Sequence, residues 1–183
     1  MTLKLYDRPQ AFVSAECAAI LAIADARSGR PAPVTGYDGE TVDPAHRRAT
    51  TTLIGQDPES QWLFARLDAL FADAGDALGL PVDALSEPMQ IVRYGVGDHF
   101  QLWHSDAGHD LHERRRLSAS IELSDPADYA GGLLEIMPMR MMPGASPGQG
   151  HATIFPSRAL HHVTPVTRGV RHALVAWTGL DAA

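Results

Sequence analysis

The sequence predicts a mainly β protein, a barrel or jelly roll that is supported by helices near its N-terminus. Two observations lead to this fold class. Helical spacing of apolar residues is confined to about the first 80 residues, and from about residue 88 short apolar runs alternate with glycine and proline turns. Helices followed by many short strands are typical of an antiparallel β fold with helical supports. The length of 183 residues predicts one domain, with the helical support within about 10–80 and the β core within about 88–180.

The first predicted helix has Ser14 as its N-cap and Glu16 in its first turn, and it runs through alanine-rich sequence to about Arg27. The segment that follows, residues 28–50, is rich in glycine, proline and charged residues. Such a composition favours loop structure over periodic elements. We therefore expect a loop with at most one strand.

The second predicted helix begins at Asp57-Pro58, since aspartate is a favoured N-cap and proline is favoured at the first helical position. Gly79 and Pro81 are expected to end it. Apolar residues at helical spacing define the face that is predicted to be buried: Leu63, Leu67, Leu70, Phe71, Ala74 and Leu78.

From about residue 88 onwards the pattern changes to short strands. Residues 117–123 alternate strictly between apolar and polar positions, so the two sets of side chains face opposite sides of a sheet. The polar set, Ser118, Ser120 and Glu122, is predicted to face a pocket. The other predicted strands are residues 89–94, 131–136, 152–155, 161–166 and 171–178.

Composition narrows the class of protein. The formal net charge is −7 and the pI about 5.6, so no nucleic-acid partner is expected. No apolar run approaches the ~18 residues of a membrane span, so no membrane association is expected. Cys17 is the single cysteine and cannot form an internal disulfide; its surroundings predict a small buried apolar residue. No apolar secretory region is seen near the N-terminus, so the expected location is cytoplasmic. The sequence does not indicate the oligomeric state.

His104 and Asp106 form the one His-x-Asp sequence in the chain. In a strand, residues two apart point to the same face, so both side chains can bind one ion without bending the backbone. This pair alone is a weak signal, because the pattern arises by chance in many chains. A third ligand has to come from a distant segment.

His161 and His162 offer that third ligand. Because they are adjacent, a strand would direct them to opposite faces, and only one can share a site with the first pair. His161 is preferred, since Arg171, ten residues later, would return after a turn through residues 167–169 and share its pocket. His162 would then point outward. A buried guanidinium needs a carboxylate partner, which an acidic cosubstrate would provide.

Two histidines and one carboxylate leave three coordination positions open, as an Fe(II) centre that binds a cosubstrate and dioxygen requires. Two alternatives use the same ligands. A cupin-like metal-binding barrel (an isomerase, sensor or binding module) without oxygenase activity gives no reason for a cation at Arg171. A hydrolytic Zn(II) enzyme needs a general base near the metal, and Glu122 is the candidate.

Several motifs cover about half of the chain. They are Gln90-x-x-Arg93-Tyr94-x-x-Gly97-Asp98-x-Phe100-x-x-x-His104-x-Asp106, Arg116-Leu117-Ser118, Tyr129-x-Gly131-Gly132-x-Leu134, Phe155-Pro156-Ser157 and His161-x-Val163-x-Pro165-Val166-x-x-Gly169-x-Arg171-x-x-Leu174-x-x-Trp177. In this order and spacing they resemble the prolyl 4-hydroxylase-like branch of the Fe(II)/2-oxoglutarate-dependent dioxygenases. The N-terminal half matches only in general character, as helices that support a double-stranded β-helix.

The resemblance implies a double-stranded β-helix core (jelly-roll, cupin-like) whose Fe(II) is held by His104, Asp106 and His161. It implies 2-oxoglutarate as the cosubstrate, with its C5 carboxylate paired to Arg171. The implied reaction uses O2 to hydroxylate a C–H bond, and it releases succinate and CO2, with ascorbate as a candidate reductant. A peptidyl (prolyl-like) or amino-acid substrate is expected.

Tyr94 and Ser118 are implied as further cofactor-binding residues; relatives place a tyrosine hydroxyl near the cosubstrate at the position of Tyr94. Relatives often carry an uncharged residue near Glu122, so a glutamate there marks either a different strand face or a difference in specificity. Residues 107–115 are polar and directly follow the first ligand pair, which makes them a candidate substrate lid.

Overall fold

The fold is mainly β, as the sequence predicts. The computed structural model describes residues 3–36, 39–108, 114–137 and 147–180, and these contain two α-helices, α1 (Ser14–Asp25) and α2 (Gln61–Leu78). The strands, in chain order, are β1 (Tyr6–Arg8), β2 (Arg30–Pro31), β3 (Val34–Gly36), β4 (Gly39–Thr41), β5 (Arg47–Arg48), β6 (Thr50–Ile54), β7 (Met89–Tyr94), β8 (His99–His104), β9 (Arg115–Glu122), β10 (Ala130–Gly131), β11 (Leu134–Ile136), β12 (Ala152–Pro156), β13 (His161–Val163), β14 (Val166–Arg168) and β15 (Arg171–Gly179).

Two antiparallel sheets enclose the interior. The larger has seven strands in the order β1-β12-β9-β15-β7-β6-β2, and the smaller has four in the order β11-β13-β8-β5. Val92 and Tyr94 of the larger sheet share a buried apolar cluster with Val163 of the smaller one, so the inner faces of the sheets pack on each other. Two short pairs, β10-β14 and β3-β4, complete the described strands.

Helix α2 covers the outer face of the larger sheet. The apolar face predicted from its spacing is buried, except that Leu78 is only partly so. This face shares one apolar cluster with Leu117, Ile121 and Leu174 of the sheet. Gly79 ends the helix in the left-handed conformation (φ 67°), as predicted. Neither described helix has the length and apolar composition that crossing a bilayer requires.

Both helices start differently from the prediction. Val13, not Ser14, is the N-cap of α1, and its backbone N–H donates to the Glu16 carboxylate at 2.9 Å. In α2, Asp57 caps a preceding turn, where its Oδ1 accepts the N–H groups of the residues two and three positions later. The regular helix therefore begins only at Gln61.

The prediction of a loop over residues 28–50 was wrong, because four strands, β2 to β5, lie within it. Strand β5 pairs with β8 in the smaller sheet, and β6, which follows at once, pairs with β7 in the larger sheet. The segment therefore connects both layers. Strands of two or three residues are too short to show alternation, so composition alone favoured a loop.

Strand β9 has the predicted alternation. Leu117 and Ile121 lie in the cluster beneath the helices. Ser118 and Glu122 are buried on the opposite face, and Ser120 lines the interior beside Glu122. The polar face of this strand is therefore directed between the two sheets.

Candidate active site

Strand pairing brings the two predicted histidine ligands together. His104 ends β8 and His161 begins β13, and the two residues are direct partners in the antiparallel register. Their ring centroids are 4.2 Å apart. The Nδ1 of each ring lies against a backbone carbonyl oxygen two residues earlier, that of Leu102 at 2.9 Å and that of Ala159 at 3.0 Å. An Nδ1–H donated to a carbonyl leaves the lone pair of Nε2 free for a metal.

Asp106 reaches the histidines from a turn. The prediction that His104 and Asp106 share one strand was wrong, because β8 ends at His104. The carbonyl oxygen of Ser157 holds the turn in place: it accepts the N–H of Asp106 at 2.9 Å, the N–H of Ala107 at 3.0 Å and the hydroxyl of Ser105 at 3.0 Å. This positioning role of Ser157 was missed, because a backbone acceptor has no side-chain signal in a sequence.

The carboxylate of Asp106 lies between the two imidazoles. Its Oδ2 is 3.4 Å from Nε2 of His161, and its Oδ1 is 3.8 Å from Nε2 of His104. One ligand atom from each of the three residues lies within 4.8 Å of the others. Atoms that bind one ion at about 2.1 Å lie roughly 3 Å apart, so small inward shifts complete a site. Two nitrogen donors and one carboxylate oxygen fit Fe(II) with open positions.

The protonation states also fit a metal site. Burial and the adjacent His161 lower the pKa of His104 to about 4. Burial alone would raise the pKa of Asp106, but His161 and His104 hold it below its usual value. At neutral pH the His104 ring is therefore neutral and the Asp106 carboxylate charged, which are the forms that bind metals.

His162 lies on the outer side of β13, as strand alternation predicts. Its Nε2 is 2.8 Å from Oε2 of Glu135, and its ring stacks on Trp103 with centroids 4.0 Å apart. It is not among the clustered ligand atoms of the described residues.

A second buried charge, the guanidinium of Arg171, lies in a cleft lined by Ser120 and Glu122, on the face of β9 that also carries Ser118. Its Nε donates to Oε2 of Glu122 at 2.8 Å, and the two side chains are 4% and 1% exposed. Burial alone would lower the pKa of Arg171, but the charge of Glu122 raises it above its usual value. The cleft is also lined by Tyr129, Leu134 and Thr153. A permanently charged donor therefore borders the interior.

Arg171 does not arrive by the predicted hairpin. Strand β14 includes Thr167 and Arg168 of the predicted turn and pairs with β10, so the chain turns only at Gly169 (φ +69°). Strand β15 then enters the larger sheet, where Arg171 is the register partner of Tyr94. His161 belongs to the smaller sheet, so the two side chains enter the interior from opposite layers.

The structure places Tyr94 and Ser118 at different ends of the site. Tyr94 is buried, and the Cζ of Arg171 is 5.7 Å from its ring centroid. Ser118 donates its hydroxyl to Oγ of Ser157 at 2.9 Å, and it also helps to lower the pKa of Asp106. Tyr94 therefore borders the guanidinium, and Ser118 borders the candidate metal ligands.

Gly132 restricts the space beside Arg171. It has φ +62°, and an added Cβ would lie 3.0 Å from Cδ of Arg171 and 2.8 Å from a methyl group of Val166. Gly132→Ala is expected to destabilise the fold by about 1–2 kcal/mol, because a side chain is strained in this conformation. Urea unfolding measures the loss. Gly55→Ala is the control, since nothing lies within 4 Å of its Cβ; equal losses from the two substitutions would contradict this expectation.

The candidate lid, residues 107–115, is described only at its two ends, because residues 109–113 lie outside the described part of the chain. Its described start at Ala107 is fixed to the carbonyl oxygen of Ser157. The role of a substrate lid stays a prediction.

The geometry weighs against a hydrolytic centre. Glu122 was the candidate general base, but its carboxylate pairs with Arg171. It does not belong to the group of potential ligands that the described residues bring together. A general base must reach the metal-bound water within hydrogen-bonding distance, directly or through one water.

Comparison with known proteins identifies the class of this site. The profile of the 2OG-Fe(II) oxygenase superfamily matches residues 89–179. A PKHD-type hydroxylase of Sphingopyxis alaskensis is 36% identical over 154 residues, which is 81% of this chain and 68% of the relative. Matches to two other proteins of the same description cover 39% and 42% of their lengths.

Solved structures show the same fold. A Pseudomonas putida prolyl-4-hydroxylase superposes with a TM-score of 0.75 at 21% identity, covering 99% of this chain and 95% of that one. A Trichoplax adhaerens prolyl hydroxylase, in complex with a hypoxia inducible factor oxygen degradation domain peptide fragment, has a TM-score of 0.75 at 17% identity, with 97% and 84% covered. At such identities the likeness concerns the jelly-roll fold alone.

Two histidines and a carboxylate inside a jelly roll are typical of the non-haem Fe(II) oxygenases. The chain belongs to the 2OG-Fe(II) oxygenase superfamily. Its cofactors are Fe(II) and 2-oxoglutarate, as predicted, and the cupin-like alternative without oxygenase activity is not favoured.

Proposed function

We propose that the chain hydroxylates a C–H bond of a peptidyl or amino-acid substrate, with Fe(II) held by His104, Asp106 and His161. The observation that carries this proposal is the convergence of the three residues from two distant segments, with ligand atoms within 4.8 Å. When bound, Fe(II) and 2-oxoglutarate supply the O2-dependent oxidation that releases succinate and CO2.

The protein's own tasks are to position the ligands and to bind the cosubstrate. Backbone carbonyls fix the tautomers of the two imidazoles, and the carbonyl of Ser157 fixes the turn of Asp106. Arg171 receives the distal carboxylate of 2-oxoglutarate, because it is a buried cation that faces the interior from the sheet opposite His104 and His161. Tyr94 lies beside the Arg171 guanidinium, and Ser118 helps to keep the Asp106 carboxylate charged by lowering its pKa.

One side-chain donor near the metal site favours a substrate with carbonyl or carboxylate oxygens. The guanidinium of Arg47 lies 4.7 Å above the ring of Phe100, which in turn stacks on His104 at 3.8 Å. The Nε of Arg47 is buried without a hydrogen-bond partner in the described residues, whereas its terminal nitrogens donate to the carbonyl oxygen of Pro33 and to Oε1 of Gln90. A peptide backbone or an amino-acid carboxylate offers the acceptor it lacks. The peptide bound to the Trichoplax adhaerens protein is consistent with a peptide substrate; a cytoplasmic location stays a prediction from the sequence.

The test is an anaerobic titration with Fe(II) and 2-oxoglutarate, followed by the visible charge-transfer band of the complex. Wild-type protein is expected to develop the band. Arg171→Gln is expected to need about 100-fold more 2-oxoglutarate to develop the band. The substitution removes the cation that pairs with the distal carboxylate, and losing one member of a buried charge pair costs several kcal/mol. The variant's affinity for Fe(II) alone is expected to change by less than about threefold, since Arg171 is not a metal ligand.

The matched control is Arg168→Gln. Arg168 is three residues away and exposed, and among the described residues its side chain donates to the backbone carbonyls of Ala127 and Tyr129. Its affinity for 2-oxoglutarate is expected to match that of the wild type. Absence of the band from fully iron-loaded wild-type protein, or equal loss of iron and 2-oxoglutarate binding in Arg171→Gln, would overturn the proposal.

A further inference from the structure

The cation proposed to bind the cosubstrate already has an anionic partner within the chain. Glu122 is on β9 and Arg171 on β15, and these strands are neighbours in the larger sheet. Glu122 is the register partner of Ala173, so Arg171 is its diagonal neighbour on the inner face. The ion pair is 2.8 Å long and both side chains are almost fully buried. The charge of Glu122 is also the main cause of the raised pKa of Arg171.

A second carboxylate cannot join this pair without cost. The Nε–H of Arg171 is donated to Glu122, which leaves only the two terminal nitrogens for another acceptor. The free space between the cleft walls is about 10 Å³, close to what a single water molecule needs. Two carboxylates on one buried guanidinium repel each other, and the low dielectric of the interior strengthens that repulsion.

We propose that Glu122 is an internal counter-ion of Arg171 that competes with the distal carboxylate of 2-oxoglutarate and thereby sets the enzyme's affinity and selectivity for its cosubstrate. This inference rests on the proposed role of Arg171. The ion pair keeps the guanidinium compensated when no cosubstrate is bound. The distal carboxylate of the cosubstrate must displace the Glu122 carboxylate or share the cation with it. Either event reduces the binding free energy that the distal carboxylate contributes.

The experiment compares two ligands that differ only in that group. 2-Oxoglutarate carries the distal carboxylate, and 2-oxopentanoate has the same chain length without it. Calorimetric titration of both into Mn(II)-loaded protein measures binding without turnover. Mn(II) accepts nitrogen and carboxylate donors like those of the iron site. The proteins are the wild type, Glu122→Gln, Arg171→Gln and the control Glu87→Gln.

Wild-type protein is expected to prefer 2-oxoglutarate over 2-oxopentanoate by less than about tenfold, because Glu122 offsets the charge of Arg171. Glu122→Gln keeps a hydrogen-bond acceptor for Nε and removes the competing charge. It is expected to bind 2-oxoglutarate about tenfold tighter, with 2-oxopentanoate changed by less than about threefold. A wild-type preference above about 100-fold would overturn the proposal even if Glu122→Gln failed to fold.

The control removes the charge of a different Arg–Glu pair. Glu87 accepts hydrogen bonds from Arg115 at the start of β9, whereas Glu122 ends the same strand. Glu87→Gln is expected to leave both affinities unchanged. Unchanged or weaker 2-oxoglutarate binding by Glu122→Gln would overturn the inference, since Glu122 would then only position Arg171.

Arg171→Gln separates the two proposals. With the cation gone, the remaining Glu122 carboxylate repels the distal carboxylate, so 2-oxopentanoate is expected to bind more tightly than 2-oxoglutarate. If Arg171→Gln keeps the wild-type affinities, the proposed role of Arg171 fails and the competition fails with it. If Arg171→Gln binds 2-oxoglutarate more weakly than the wild type while Glu122→Gln binds it no more tightly, the proposed role of Arg171 stands. Only the proposed competition by Glu122 then fails.

Discussion

Replacing His161 with alanine is expected to lower the affinity for Fe(II) by more than about 100-fold, because loss of an outer partner of a ligand already costs 10–100-fold. The His161 ring is buried, and its Nε2 lies 3.4 Å from Oδ2 of Asp106. Without it, His104 and Asp106 offer two donors from residues two positions apart, too few to hold the ion against water. Competition with a colorimetric chelator under anaerobic conditions measures the affinity, and succinate release with a substrate measures turnover, which is expected to be lost.

His162→Ala is the matched control for this prediction. The two histidines are adjacent in sequence and share one strand, but His162 contacts Trp103 and Glu135 on the outer side. The variant is expected to bind Fe(II) within about threefold of the wild type, since the His162 ring faces away from the clustered ligand atoms and shares no side-chain partner with them. Loss of iron binding in His162→Ala but not in His161→Ala would reverse the ligand assignment.

The sequence predicted the structure best where a periodic pattern of apolar residues extended over several turns of helix or several strand residues. Residues 117–123 alternate over seven positions, and the structure separates their apolar and polar sides as predicted. The spacing in α2 likewise identified its buried face. In both elements the burial of apolar side chains selects one face, so the pattern and the packing have the same cause.

Pairings between distant strands could not be read in the same way. The polar face of β9 was predicted, but the contact of Glu122 with Arg171 depends on the register of β9 against β15. A shift of register by one residue would move Glu122 to the other face, and no local pattern specifies that register. The Ser157 carbonyl was missed for a related reason, since any residue type carries the same backbone acceptor. Asp106 joined His104 as expected, but through this acceptor and not through strand alternation.

Phe71→Ala is expected to lower the free energy of unfolding by about 3–5 kcal/mol, because truncating a buried aromatic side chain loses its burial and leaves a cavity. Phe71 lies on α2, is 1% exposed, and belongs to the apolar cluster with Leu117, Ile121 and Leu174 of the larger sheet. Urea unfolding of the metal-free protein at fixed temperature measures the change. If the slope of the unfolding free energy against urea concentration is unaltered, the substitution has not changed the unfolded state.

Trp62→Ala is the control, because Trp62 is another aromatic residue of α2 but is 37% exposed. It is expected to cost less than about 1 kcal/mol. Equal losses would mean that the buried face of α2 has been assigned wrongly. The proposed ligand His161 lies on the same face of β13 as Val163, a member of the cluster between the sheets, whereas the Phe71 cluster lies on the outer side of the larger sheet. Phe71→Ala that has folded is therefore expected to bind Fe(II) with wild-type affinity. His161→Ala is expected to keep the stability of the fold and to bind Fe(II) poorly. These opposite effects would separate the residues that stabilise the fold from those that form the metal site.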